Sequence, residues 1–351
     1  MSRPTAPAAD AEAREPSSRR TVIKRVVLLL VAVVSLYLVG PAVLELFDEW
    51  PRVKDLDPLL LQLIVLAQVV AFACLWVVQR IALGAREWLP VVTSQLAGNA
   101  AARVLPGGGA AGGALQYSML VRAGLPGPAT ARGITAASLL ITGIVFALPA
   151  LALPAVLAGS PIDRQLARAA WAGAAALVLL VAAGALLLVS DAPLRFSGHA
   201  LQSVRNRVRR RHPPVTDLPA RLLAERDMIR DVFRERWPAA LLATVGRWSF
   251  DYASLLLALL AVGARPAPSA VLLAFCTAQV LSLIPFTPGG LGFVEAGLTG
   301  TLALAGVGGP EALVAALAYR LASFWLPIPF GLGAYLVHRR VFGEPKLRAG
   351  P

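Results

Sequence analysis

Charge is scarce in this chain. Asp, Glu, Lys and Arg make up 15% of its 351 residues, against about a quarter in an ordinary soluble domain. What charge there is leaves long stretches nearly empty. Cysteine is almost absent. Cys74 and Cys276 stand far apart, each inside an apolar segment, so neither a disulfide framework nor a zinc-binding spacing exists. The three histidines, His199, His212 and His338, fall in polar connections. A Ser/His/Asp triad within the apolar segments and a His-ligated metal are therefore unsupported, and no metal or cofactor is expected.

The apolar residues present make up 57% of the chain, with a mean hydropathy of +0.68. A membrane span needs about 20 such residues to cross about 30 Å of hydrocarbon. Full spans are expected at about Val22–Leu46, Leu59–Leu83, Gly133–Ala158, Ala169–Ser190, Pro238–Val262 and Ala312–Val337. Two further apolar regions are broken. Leu89–Leu120 is interrupted at Pro106-Gly107-Gly108-Gly109, and Pro268–Gly306 at Pro285-Phe286-Thr287-Pro288-Gly289-Gly290. Their halves run to about 16 residues, short for a crossing, and read as two re-entrant hairpins. The expected fold is thus an all-α polytopic transmembrane helix bundle of about six full spans plus two broken segments, or up to eight spans. It divides into a disordered basic tail (1–21), one integral membrane domain (22–340) and a C-terminal tail (341–351).

The net charge is 33 − 20 = +13. In a membrane protein such an excess marks cytoplasmic loops and points away from nucleic acid. The N-terminal tail carries Arg3, Arg14, Arg19, Arg20, Lys24 and Arg25, the loop 191–237 carries eleven arginines, and the C-terminus carries Arg339, Arg340, Lys346 and Arg348. Both termini and that loop are expected in the cytoplasm, with the protein in the cytoplasmic membrane. The first hairpin then dips from the cytoplasm and the second from outside. Within the loop, Leu218, Leu222, Ile229, Val232 and Phe233 share one helical face of Asp217–Arg236. That stretch reads as an amphipathic helix resting on anionic headgroups or as a plain connector.

Gly/Pro-broken segments in both halves of a membrane chain point to a transport site, because irregular backbone survives in lipid only against protein or a water-filled cavity. The run Gly107–Gly112 fits G-x-G-x-x-G, but apolar helix surrounds it instead of a βαβ unit, which excludes a dinucleotide site. It also gives Gly108-xxx-Gly112 and Gly109-xxx-Gly113, small-residue spacings for close helix contact. Ionisable residues inside spans are costly unless paired or hydrated. Arg247 and Asp251 lie four apart on one helical face; Arg320 lies deep in the last span, and Glu295 follows the second break. They form either locked ion pairs that hold the bundle or the walls of a polar cavity for a lipid headgroup.

Thr287–Leu298, which reads TPGGLGFVEAGL, and Ala318–Pro327, which reads AYRLASFWLP, resemble the lysylphosphatidylglycerol synthase transmembrane, or flippase-like, family; Gly98-Asn99 and Leu105–Gly109 resemble its first signature. The resemblance spans Val22–Arg340. It implies a membrane module that moves lipids or lipid-linked precursors between leaflets. In the full synthases a separate soluble domain performs the aminoacyl transfer, so no enzymatic activity is expected here. The substrate-binding residues would be Asn99, Arg103, Gly107, Gly108, Arg247, Asp251, Pro288, Gly289, Gly290, Glu295, Tyr319 and Arg320. The partners would be membrane lipids, anionic or lipid-linked. A second reading is a scaffold for a membrane glycosyltransferase or lipid-modifying synthase.

Overall fold

The computed structural model describes residues 56–105, 108–157, 164–208, 216–233, 236–282 and 290–343. The expected first span Val22–Leu46, the N-terminal tail, and the site candidates Gly107, Pro288 and Gly289 lie outside these residues. All regular structure among the described residues is helical. The helices are α1 (Pro58–Leu83), α2 (Leu89–Val104), α3 (Gly108–Arg122), α4 (Gly127–Ala147), α5 (Leu153–Leu157), α6 (Arg164–Val189), α7 (Ala192–Val208), α8 (Leu218–Phe233), α9 (Trp237–Ala261), α10 (Pro268–Ser282), α11 (Phe293–Leu304), α12 (Gly309–Arg320) and α13 (Pro327–Phe342). A 3-10 turn, Leu148–Ala152, joins α4 to α5, and a π-helical turn, Leu321–Trp325, joins α12 to α13.

Among the described residues, four helical stretches are long and apolar enough to cross a membrane: Pro58–Leu83, Gly127–Ala152, Ala170–Leu187 and Gly309–Phe342. The 25-residue α9 has span length too, but it carries Arg247 and Asp251 in its middle. It packs along α1 more extensively than any other pair of described helices pack together. The first of these spans has clear local causes. Asp57 caps α1 by accepting the Leu59 N–H at 2.9 Å, Pro58 opens it where no N–H is needed, and Gly84 closes it with φ +60°. The third expected span starts at Gly127, six residues ahead of Gly133. Pro128 sits in the first turn, where proline is accepted because that N–H has no helical partner, so Gly-Pro there opens the helix.

The broken segments form short helices packed in pairs. α2 and α3 lie against each other, with 16 and 15 residues, about 24 and 22 Å at 1.5 Å per residue. Each is too short to cross. Their seam closes on glycine: a Cβ on Gly98 would stand 2.9 Å from the Gly112 carbonyl, and one on Gly112 would strike the Gly98 carbonyl and Ala102. The small-residue spacing noted in the sequence is therefore only half used, because Gly109 and Gly113 face open space. α10 and α11, of 15 and 12 residues, pair likewise, with Gly297 against Leu281.

The arginine-rich loop holds two helices rather than one. α7 and α8 form a hairpin closed where Gly198 meets Pro219. α8, the amphipathic helix expected at Asp217–Arg236, packs on α7, α1 and α4, and its Leu222 and Leu223 are half-buried. The side chains of Ile229, Val232 and Phe233 lie outside the described ones; on α7, Phe196, Leu201 and Val204 are exposed. Asp191 ties this hairpin to the end of α6 through Arg226, 2.8 Å away.

Candidate functional site

Five charged side chains meet inside the apolar bundle. Arg247 and Asp251, one turn apart on α9, form an ion pair of 2.8 Å. The Asp251 carboxylate also accepts from Gln68 Nε2 of α1 at 2.7 Å and from the Tyr319 hydroxyl of α12 at 3.0 Å. Gln68 Nε2 donates to Ser254 Oγ at 2.6 Å as well, and Gln279 of α10 donates to the Tyr319 oxygen at 3.2 Å. One buried carboxylate thus ties together helices from both halves of the chain. A carboxylate in hydrocarbon persists only with such partners.

The next residue, Arg320, donates from Nε to Glu295 Oε1 at 2.6 Å, with both side chains buried. Glu295 is held in the first turn of α11, where a carboxylate is favoured by the unpaired N–H groups of the helix end. The backbone leading into that turn requires glycine. Gly290 has φ +71° and its Cβ position lies 2.6 Å from Val294 Cγ2.

Arg103, on the last turn of α2, reaches the same place. Its Nη1 donates to the Phe324 carbonyl at 2.6 Å, and its charge lies within electrostatic reach of Arg320, Arg247 and Asp251. Phe324 lies within the π-turn. There the Leu326 N–H bonds back to Leu321, five residues instead of four, and the prolines that follow, Pro327 and Pro329, bring no N–H to the ladder. Such single π-turns occur often at functional sites. The Phe324 ring also carries two guanidiniums, Arg320 at 4.3 Å and Arg103 at 5.2 Å from its centroid. Three arginines thus face two carboxylates, leaving 3 − 2 = +1.

Several buried acceptors here have no hydrogen-bond partner: Glu295 Oε2, Thr299 Oγ one turn further along α11, and Asn99 Oδ1, one turn before Arg103 on α2. Most buried polar atoms do have partners. Of the remaining candidates, Gly108 opens α3 with φ +48° and donates its N–H to Leu105, beside the tip but without contact to the charges. Reading the sequence missed Gln68, Ser254, Gln279 and Phe324. A glutamine inside a 26-residue apolar run was the available signal. It also misplaced His338, which is fully buried in α13, with Nδ1 2.7 Å from Thr93 Oγ and Nε2 3.0 Å from the Met119 carbonyl. Arg339 and Arg340 make that stretch look like a polar tail, whereas the helix turns position 338 inward.

A helical bundle with two pairs of short broken helices and a buried charged cluster is the architecture of a multi-pass membrane protein built around an interior polar site. The chain belongs to the family described as the lysylphosphatidylglycerol synthase TM region, whose model matches residues 22–331. It is also 33% identical over 95 residues to a UPF0104 membrane protein of Methanothermobacter thermautotrophicus, a match covering 27% of either chain.

Proposed function

We propose that this protein moves a lipid bearing a phosphate headgroup between the leaflets of the cytoplasmic membrane, without catalysing a covalent reaction. The observation that carries this is the excess guanidinium charge gathered inside the bundle, where Arg103, Arg247 and Arg320 face two carboxylates. Arg103 lies 14 residues into α2, about 21 Å at 1.5 Å per residue, and Arg320 is the twelfth residue of α12, about 17 Å along it. Counted from the start of each helix, Arg320 comes near the middle of a layer of about 30 Å of hydrocarbon and Arg103 about two-thirds of the way through it. Arginine presents a planar fork that matches phosphate oxygens, and an anion between Arg103 and Arg320 would relieve their mutual repulsion over Phe324. The unpartnered acceptors Glu295 Oε2 and Asn99 Oδ1 favour a headgroup that also carries hydrogen-bond donors. Movement of the two helix pairs against the rest of the bundle would expose the site to one side and then the other. The arginine-rich α7–α8 hairpin and both termini would face the cytoplasm.

The test is leaflet translocation in proteoliposomes with a panel of anionic, aminoacylated and polyprenyl-linked lipids. At least one should equilibrate faster than in protein-free vesicles, and Arg320→Ala should slow it tenfold or more. If no lipid moves faster with the protein than without it, transport falls. A scaffold for a membrane enzyme, docked through the exposed α7 side chains Phe196, Leu201 and Val204, would then be the better reading. Orientation is checked separately: an impermeant thiol reagent should label Ala267→Cys but not Ser203→Cys in intact cells, and the reverse would overturn the topology.

A further inference from the structure

A slot runs beside the charged site, and we infer that it holds one hydrocarbon chain of the lipid whose phosphate meets Arg103 and Arg320; this deepens the transport reading and rests on it for the headgroup. The slot has a volume of about 240 Å³. One wall is α1 from Val65 to Trp76, another is Leu96 of α2, and the third runs from Ala322 to Phe330 across the end of the π-turn and into α13.

Its shape suits a single extended chain. From Val65 to Trp76 α1 rises about 16 Å, half the thickness of the hydrocarbon layer, and the slot lies along a membrane-spanning helix. Its chemistry suits hydrocarbon as well. The polar groups in its walls are already engaged: Gln68 Nε2 bonds Asp251 and Ser254, and Trp76 Nε1 donates to Gln95 at 3.0 Å. The slot therefore offers apolar surface to an occupant and no group for a headgroup or water to bind.

Two features join slot and site. Ala322, in the slot wall, belongs to the same π-turn as Phe324, over whose ring both guanidiniums lie. Leu96 and Arg103 lie seven residues apart on α2, two turns along one face. A chain in the slot would thus bring its headgroup toward the charges. Within a bilayer there is no hydrophobic drive to hold a chain against a protein, since the surrounding lipid is equally apolar. Occupancy beyond that of ordinary surrounding lipid must come from fit and from the headgroup anchor, which makes the phosphate the critical variable.

The experiment uses the full chain in nanodiscs of phosphatidylcholine containing a small fraction of phosphatidic acid with a mid-chain diazirine, with adducts mapped by mass spectrometry. Val69 and Phe330, which are 51% and 62% exposed, should be labelled several-fold more than the comparably exposed Leu139 and Val178, at 65% and 67%. Equal labelling would mean surrounding lipid only and would overturn the proposal. Diacylglycerol with the same chain differs only by the phosphate, and it should lose the excess; if it keeps it, the link between chain and headgroup is wrong. Val69→Trp, a change on the exposed mouth of the slot, should remove the excess, while Leu66→Trp, exposed but outside the slot, should leave it. An unchanged pattern in Val69→Trp would count against the slot. Excess labelling in a protein that translocates nothing would support the slot and sink transport; translocation with uniform labelling would do the reverse.

Discussion

The Arg320–Glu295 pair can be tested so that its contribution to folding separates from its contribution to transport. Both residues are 7% exposed, and Glu295 has one partnered oxygen and one unpartnered oxygen. Arg320→Met leaves the carboxylate buried without that 2.6 Å donor. Breaking a buried pair from one side costs about 3–5 kcal/mol, and the guanidinium also leaves the Phe324 ring, adding about 0.5–2 kcal/mol. Part of this is recovered if Glu295 takes up a proton. In Arg320→Met/Glu295→Gln no charge is stranded, and replacing a buried pair by uncharged groups of similar size is often close to neutral. The double variant should therefore regain most of the lost thermal stability in detergent, with a coupling of about 3 kcal/mol between the two positions. Transport in proteoliposomes should not return with it, because the arginine that meets the phosphate is gone. A double variant restored in both stability and translocation would refute the reasoning and reduce the pair to a structural clamp. Arg320→Lys should fall between, keeping the charge but losing the fork.

Two further outcomes follow from geometry elsewhere. Gly112→Leu should destabilise the α2–α3 pair by about 1–3 kcal/mol through overpacking, because the added Cβ strikes the Gly98 carbonyl, whereas Gly113→Leu, facing open space, should be mild; equal losses in thermal stability would remove the close seam. The Arg226 guanidinium holds the Asp191 carboxyl below its usual range, with Arg195 adding to the effect, while Asp191 raises Arg226 in turn. A depressed carboxylate contributes stability that is present above its unfolded value of about 4 and is lost as pH falls through the lower folded value. The raised arginine stays charged throughout this range. Amides of α7 and α8 should therefore keep their hydrogen-exchange protection at pH 5 and lose part of it below pH 4, a step that Asp191→Asn should abolish.

Four of the expected spans, Leu59–Leu83, Gly133–Ala158, Ala169–Ser190 and Ala312–Val337, were legible because an uninterrupted apolar run of the right length has few other physical readings, and the ion pairs because a charge deep in such a run must find a partner. Spacing four on α9 was enough to pair Arg247 with Asp251. Arg320 and Glu295 stood out as the other ionisable residues of the apolar segments, and the structure pairs them. What escaped was whatever depends on rotation about a helix axis or on contact between distant segments. Gln68 resembles any polar residue in a span until Asp251 is seen beside it. His338 was read by its neighbours in sequence instead of by its face. α7 was not singled out although Leu194, Leu201, Val204 and Val208 recur at helical spacing. The π-turn has no sequence signature beyond the prolines that follow it.

That turn also sets the phase of everything after it. Each residue in an α-helix advances the side-chain direction by about 100°, so the wider turn at Leu321–Trp325 acts as an angular offset between the two ends of one 34-residue rod. Ahead of it, Tyr319 and Arg320 address α9 and α11; behind it, Gly331 seats against Leu96 and Ala100, and His338 closes on Thr93 and Met119. Removing a single residue from the turn would keep the composition and hydropathy of the helix almost unchanged, yet it would swing one of these two sets of contacts out of alignment by more than a quarter of a revolution. The rod therefore works as a coupling shaft with a keyed joint, and the key is the short stretch that holds Phe324 under both guanidiniums.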